Sequence, residues 1–199
     1  MGDAQTPLWF KWAMSQKPKS HIVDVDDCGI HYYLWEGSST EPKKGGLLFV
    51  HGGGGHAHWW SFLAPFFTKD YRVAALDLSG MGNSGRREEY SAEVRSAELL
   101  RVIQEAKLGD NTFVIGHSFG GLTATKFAQE HGQSIHGLIL ADSPIRPPAI
   151  SSKRKVRRMG NKKHYPDYTT AVNRFRLMPE QHCDNEFLVR HIAHHSVIE

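Results

Sequence analysis

Residues 116–120 read Gly-His-Ser-Phe-Gly. A buried strand pattern, "NTFVIG", precedes them, and a helical pattern, "FGGLTATKFAQEHG", follows. A strand-to-helix turn this tight forces the serine into a strained backbone conformation and thrusts its hydroxyl outward. Side chains two residues before and after would collide with Ser118, and glycine at 116 and 120 removes them. Gly121 adds room for helix against strand. The backbone N–H of Phe119 opens the helix, where it can stabilise negative charge developing on a substrate oxygen. The chemistry this predicts is nucleophilic attack by Ser118, which requires a base to take its proton.

The elements that must position this turn follow from hydrophobic patterning. "HIVDVDDCGIHYYLWEG" alternates around Asp27-Cys28-Gly29 and reads as a hairpin. "GLLFV", "YRVAALDL", "NTFVIG" and "IHGLILAD" are short apolar runs of the kind found in strands buried on both faces. A helix is expected over roughly 58–67. A second, capped by Ser91 and running to about 107, carries the stripe Val94, Leu99, Val102, Ile103 and Ala106. A third is closed by Gly132. Strands alternating with helices predict an α/β fold with a mainly parallel sheet flanked by helices. The rhythm stops near residue 148. Three segments result: an N-terminal extension over 1–19 whose aromatics suit a short packed helix, a core over 20–148, and a largely helical segment over 149–199.

Three motifs in order resemble those of the α/β-hydrolase fold superfamily, in its group with a cap over the catalytic face. "LLFVHGGGGHAHWW" resembles the H-G-x loop, "ALDLSGMGNSG" the D-x-x-G-x-G-x-S turn, and "VIGHSFGG" the nucleophile elbow. The resemblance implies that Gly53 supplies a second oxyanion N–H opposite Phe119, as a glycine-rich backbone can approach a bound carbonyl closely. It implies that His51 braces its loop and that Trp59 or Trp60 walls the pocket. His51, Gly52, Trp59 and His117 are thus expected around the substrate. Dehalogenases and epoxide hydrolases of this superfamily carry aspartate at the nucleophile position. Ser118 directs the expectation to ester, thioester, lactone or carbon–carbon bond hydrolysis without a cofactor, on a small-molecule substrate. Acyl transfer or lyase chemistry would use the same parts.

The superfamily's acid and histidine follow later strands. The resemblance therefore implies that the chain breaks off within the cap, ahead of its base, and that the 199 residues alone could act as a non-catalytic binding module. Asp142, at the end of "LILAD", is the candidate acid, since some members place it after this strand. The same residues suit a turn into the cap. His191, His194 and His195 share a helical face but have no evident orienting carboxylate.

Other signals point elsewhere and are weaker. Gly80-Met81-Gly82-Asn83-Ser84-Gly85 matches G-x-G-x-x-G, yet its loop runs on before the next helix, and Glu105 falls inside that helix. The thirteen histidines include His56/His58 and His191/His194/His195, but without a metal signature. "KRKVRRMGNKK" lacks the interleaved aromatics of a nucleic-acid surface, although it would attract an anionic substrate or membrane. "MGDAQT" fits a loose acylation pattern at Gly2 and Thr6 and also an ordinary terminus. Two distant cysteines suggest no disulfide framework. With no signal-peptide pattern and no apolar run of spanning length, a cytoplasmic location is the default expectation. A net charge of +3 is too small to imply a nucleic-acid binder by itself, and no nucleic-acid partner is expected.

Overall fold

A computed structural model describes residues 6–37, 43–144 and 164–197. The basic stretch 153–163 and Gly2 lie outside the described residues. The chain divides into two compact units, Met1–Ser143 and Pro144–Glu199.

The first unit opens with helix α1 (Leu8–Ser15), which buries Phe10 and Ala13. Six strands follow: β1 (Lys19–Val25), β2 (Cys28–Trp35), β3 (Gly45–Val50), β4 (Tyr71–Leu76), β5 (Thr112–His117) and β6 (Gly137–Ala141). They form one sheet in the order β1-β2-β4-β3-β5-β6. The β1/β2 and β2/β4 pairs are antiparallel, and the remaining pairs are parallel. The hairpin turn lies at Asp26 and Asp27, both at positive φ, one position before the predicted centre. Aspartate tolerates the left-handed region better than most residues, so Cys28 and Gly29 are free to join β2.

Strand side chains alternate between two apolar layers. Leu48 and Val50 of β3 and Ala74 and Leu76 of β4 join Leu99, Val102 and Phe127 from helices α2 (Ala92–Glu105) and α3 (Phe119–His131). Leu47, Phe49, Val73 and Ala75 face the other way, onto Trp35, Ala57 and Ala64. That second layer is covered by two 3₁₀ turns, Ala57–Trp60 and Ala64–Phe67, where one helix is expected from the sequence. Pro65 breaks the helical ladder, and the Ala57 N–H is committed to Asp77.

Helix α2 starts where predicted: the Ser91 side chain accepts from the Val94 N–H at 3.1 Å. Its inner face is less apolar than the stripe implies, because Arg95, Ser96 and Glu98 are buried with it. Gly132 closes α3 by continuing into a 3₁₀ turn with right-handed φ −57°, not as a left-handed cap. β6 is only half-buried, with Ile139 50% exposed.

In the second unit, α4 (Tyr168–Asn173) is capped by Asp167, which accepts from the Thr170 N–H at 2.8 Å. Helix α5 (Glu186–Ser196) carries His191, His194 and His195. The Tyr168 hydroxyl meets His194 Nδ1 at 2.9 Å and ties the two helices together. Among the described residues, no helix is long and apolar enough to cross a membrane.

Candidate active site

Ser118 stands between the end of β5 and the first residue of α3, at φ 50° and ψ −115°. A side-chain-bearing residue at positive φ costs energy and persists only where its surroundings over-determine it. The surroundings here are glycines. A Cβ on Gly116 would lie 2.6 Å from the Gly120 carbonyl oxygen and Gly121 Cα. One on Gly120 would strike the carbonyl oxygens of Val50 and His51, and one on Gly121 the Ser143 side chain. These glycines therefore clear the elbow's own backbone and the end of β3, not chiefly the serine, as the motif alone suggests. The Ser118 N–H donates to the Ala141 carbonyl at 3.0 Å, tying the elbow to β6.

The glycine loop after β3 lies against this turn. A Cβ on Gly52 would be 2.8 Å from His117 Nδ1 and 3.5 Å from Ser118 Cβ. Gly53 faces Phe119, with 3.5 Å between a built Cβ and the Phe119 Cβ. Among the described residues, neither the Phe119 N–H nor the Gly53 N–H has a hydrogen-bond acceptor. Trp59 lies nearly parallel to the His117 ring, with centroids 6.2 Å apart. Gly52, Gly53, Trp59, His117, Ser118 and Phe119 are thus brought together. Trp60 instead stacks on Phe49 at 4.7 Å, in the core layer.

His51 is wholly buried. Its Nδ1–H donates to the Gly52 carbonyl at 2.7 Å, and its Nε2 accepts from the Leu78 N–H at 3.1 Å. Burial pushes its pKa below the ordinary histidine value, so the ring is neutral and joins the two loops.

Asp77 shows how the second motif works. One carboxylate oxygen accepts from the Ala57 N–H at 2.6 Å, and the other from His31 Nδ1 at 2.8 Å and the Asn83 N–H at 3.0 Å. Burial alone would raise its pKa, but these bonds outweigh burial and hold the carboxyl below its ordinary value. Gly82, at φ 49°, passes so close to the carboxylate that any Cβ would overlap it. The Gly80–Gly85 loop is therefore wrapped around an internal anion, which spends the Asn83 amide there. His31 Nε2 meets the Ser20 hydroxyl at 2.9 Å, so both ring nitrogens are engaged.

A second buried carboxylate, Glu98, accepts from the Ser79 N–H at 3.1 Å and from Arg87 Nε at 3.2 Å. Arg87 also donates to the Val25 and Asp26 carbonyls of the hairpin. Arg95, 7% exposed, lies over both the Tyr90 and Phe119 rings at 5.1 and 5.2 Å. It backs Phe119, the residue that follows Ser118.

His31, Glu98 and Arg95 are not singled out by the sequence reading, and Asp77 enters it only as the first residue of the second motif. The readable hint was a lone charge inside an apolar pattern: Asp77 within "VAALDL", and Arg95 and Glu98 on the inner face of α2.

Asp142 sits at φ 47°, exposed, just past β6. Its carboxylate makes no hydrogen bond or ion pair among the described residues. No described hydrogen bond reaches the Ser118 hydroxyl.

The chain is similar to known proteins over most of its length. The chain is 29% identical over 189 residues to esterase Rv0045c of Mycobacterium tuberculosis, covering 90% of this chain and 60% of the relative. It is 31% identical over 127 residues to epoxide hydrolase 3 of Xenopus tropicalis, covering 61% of this chain and 33% of that protein. Among solved structures, the thioesterase domain from the curacin biosynthetic pathway superposes with a TM-score of 0.66 at 27% identity, covering 89% of this chain and 67% of that one. The chain thus spans 60% or less of the length of these two sequence relatives. Residues 46–172 match the alpha/beta hydrolase fold family, taking in the glycine loop, the Asp77 turn and the Ser118 elbow. The chain belongs to the α/β hydrolase fold family.

Proposed function

We propose that the protein is a serine hydrolase acting on an ester or thioester of a small molecule. The observation that carries this reading is the pairing of Phe119 and Gly53, two backbone N–H groups without acceptors, beside a serine held at positive φ. Ser118 Oγ attacks the carbonyl carbon, and its proton passes to a base. The carbonyl oxygen takes up the electron pair and rests on the two N–H groups. Collapse expels the alcohol or thiol, which recovers the proton. Water then attacks the acyl-serine and releases the acid.

Trp59 and His117 line the entrance, Gly52 gives the carbonyl room, and His51 holds the loop. Asp142 is the proposed acid only if a histidine comes to pair with it. His31 and His51 are occupied on both nitrogens, so the base comes from neither. The relatives named as an esterase and a thioesterase support the substrate class. Serine at 118 separates this chemistry from a reaction through an aspartyl ester.

The test is hydrolysis of p-nitrophenyl esters and acyl thioesters of graded chain length. Ser118→Ala is expected to lower kcat by about 10⁴-fold or more. Unchanged turnover in that variant would overturn the proposal.

A second reading rests on the Ser118 hydroxyl having no described hydrogen bond. The chain alone would then bind ester-like ligands in the same pocket without turning them over. Saturable binding by a folded chain with no release of p-nitrophenol would select it.

A further inference from the structure

Helix α1 is apolar on both sides. Phe10 and Ala13 face the core, while Leu8 is 83% exposed, Trp9 41% and Trp12 44%. A surface helix ordinarily turns a polar face outward. The outward residues continue across the second 3₁₀ turn: Phe66 is 49% exposed, and its ring lies 4.8 Å from Trp12 and 6.3 Å from Trp9. Phe67 adds a further exposed aromatic, at 41%. The mechanism uses none of these residues.

The border of this patch is cationic. Lys11 is an exposed residue within α1, Lys17 lies two residues past its end, and Lys69 comes two residues after Phe67. None of these three forms an ion pair among the described residues. Lys43 Nζ bonds the Thr68 carbonyl at 2.6 Å, bringing a fourth charge to the same edge. The neighbouring carboxylates are already paired, Glu36 with Lys19 and Arg72, and Asp70 with Lys44. A cavity of about 340 Å³ opens beside α1, lined in part by Lys17, Lys19, Gln16 and Trp35.

We infer that the α1 face is a docking surface for an anionic lipid membrane. Tryptophan rings favour the boundary between acyl chains and headgroups. Lysines around them reach anionic headgroups with their stems on apolar surface. A second copy of the chain is the poorer occupant, because a two-fold contact through this patch would set identical lysines against each other. Eight residues cannot span a bilayer, so α1 would lie in the interface plane.

The test is co-sedimentation of the full chain with vesicles of phosphatidylcholine alone and with added phosphatidylserine. Binding is expected only with phosphatidylserine and should weaken as salt rises. Lys11→Glu and Lys17→Glu should each lower the partition coefficient about fivefold or more. Trp9→Ser with Trp12→Ser should abolish binding while the circular dichroism spectrum stays unchanged, since both side chains are exposed. No binding to the mixed vesicles would overturn the inference, as would equal binding to pure phosphatidylcholine. Self-association without lipid that Trp12→Ser removes would assign the face to a second copy and would equally overturn it.

Discussion

Ser118 depends on what its neighbours lack. Gly120 has the carbonyl oxygens of Val50 and His51 where a Cβ would go, whereas the space beside Gly53 is of ordinary contact distance. Gly120→Ala should therefore destabilise the fold by about 3 kcal/mol. Gly53→Ala should stay within about 0.5 kcal/mol of the parent. Urea midpoints of the two variants check both. His51 adds a pH dependence. Its pKa is lowered in the fold, so on acidification the unfolded chain takes up the proton first. The stabilising contribution is complete above the ordinary value of 6.5 and declines as pH falls below it. Replacing it as His51→Gln should flatten the loss of stability between about pH 6.5 and 5, read by denaturation at each pH.

At the scale of elements, the site is two loops held by one carboxylate. Asp77 reaches the glycine loop through Ala57, the hairpin through His31 and its own loop through Asn83. Asp77→Asn places N–H groups against N–H groups and should cost about 3–5 kcal/mol, seen as a lowered thermal midpoint. Below the ordinary carboxylate value of 3.8, protonation should remove this brace in the parent chain too.

The elbow was legible in the sequence because its cause is local: glycine spacing between an apolar run and a helical pattern. The braces were not, because their partners are distant. His31 and Asp77 are 46 positions apart, and Arg87 meets the Val25 carbonyl across 62. The break of the expected 58–67 helix was half-legible, through Pro65. Its other cause, the capture of the Ala57 N–H, needed the fold. Ser118 and Phe119 were readable from their own neighbours, whereas Gly53 came through resemblance.

At the scale of the molecule, the sheet has two edges of different character. β1 displays Lys19, Ser20 and Asp24, charged or polar residues of the kind that discourage strand addition, around a single exposed Ile22. β6 pairs only with β5 among the described residues and shows Ile139 half-exposed on an apolar strand. Ile139→Lys should therefore reduce concentration-dependent aggregation of this chain, measured by light scattering. Elbow, glycine loop and Asp77 turn all belong to the first unit, so the proposed oxyanion site lies within it.

The most direct test is labelling with a fluorophosphonate probe, followed by mass mapping of the modified peptide. It should be done on the parent chain and on Ser118→Ala. One phosphonyl adduct on the peptide containing Ser118, absent from the variant, is the predicted result. A folded chain that takes up no probe, or an adduct that persists at another serine in the variant, would contradict the assignment of Ser118 as the nucleophile.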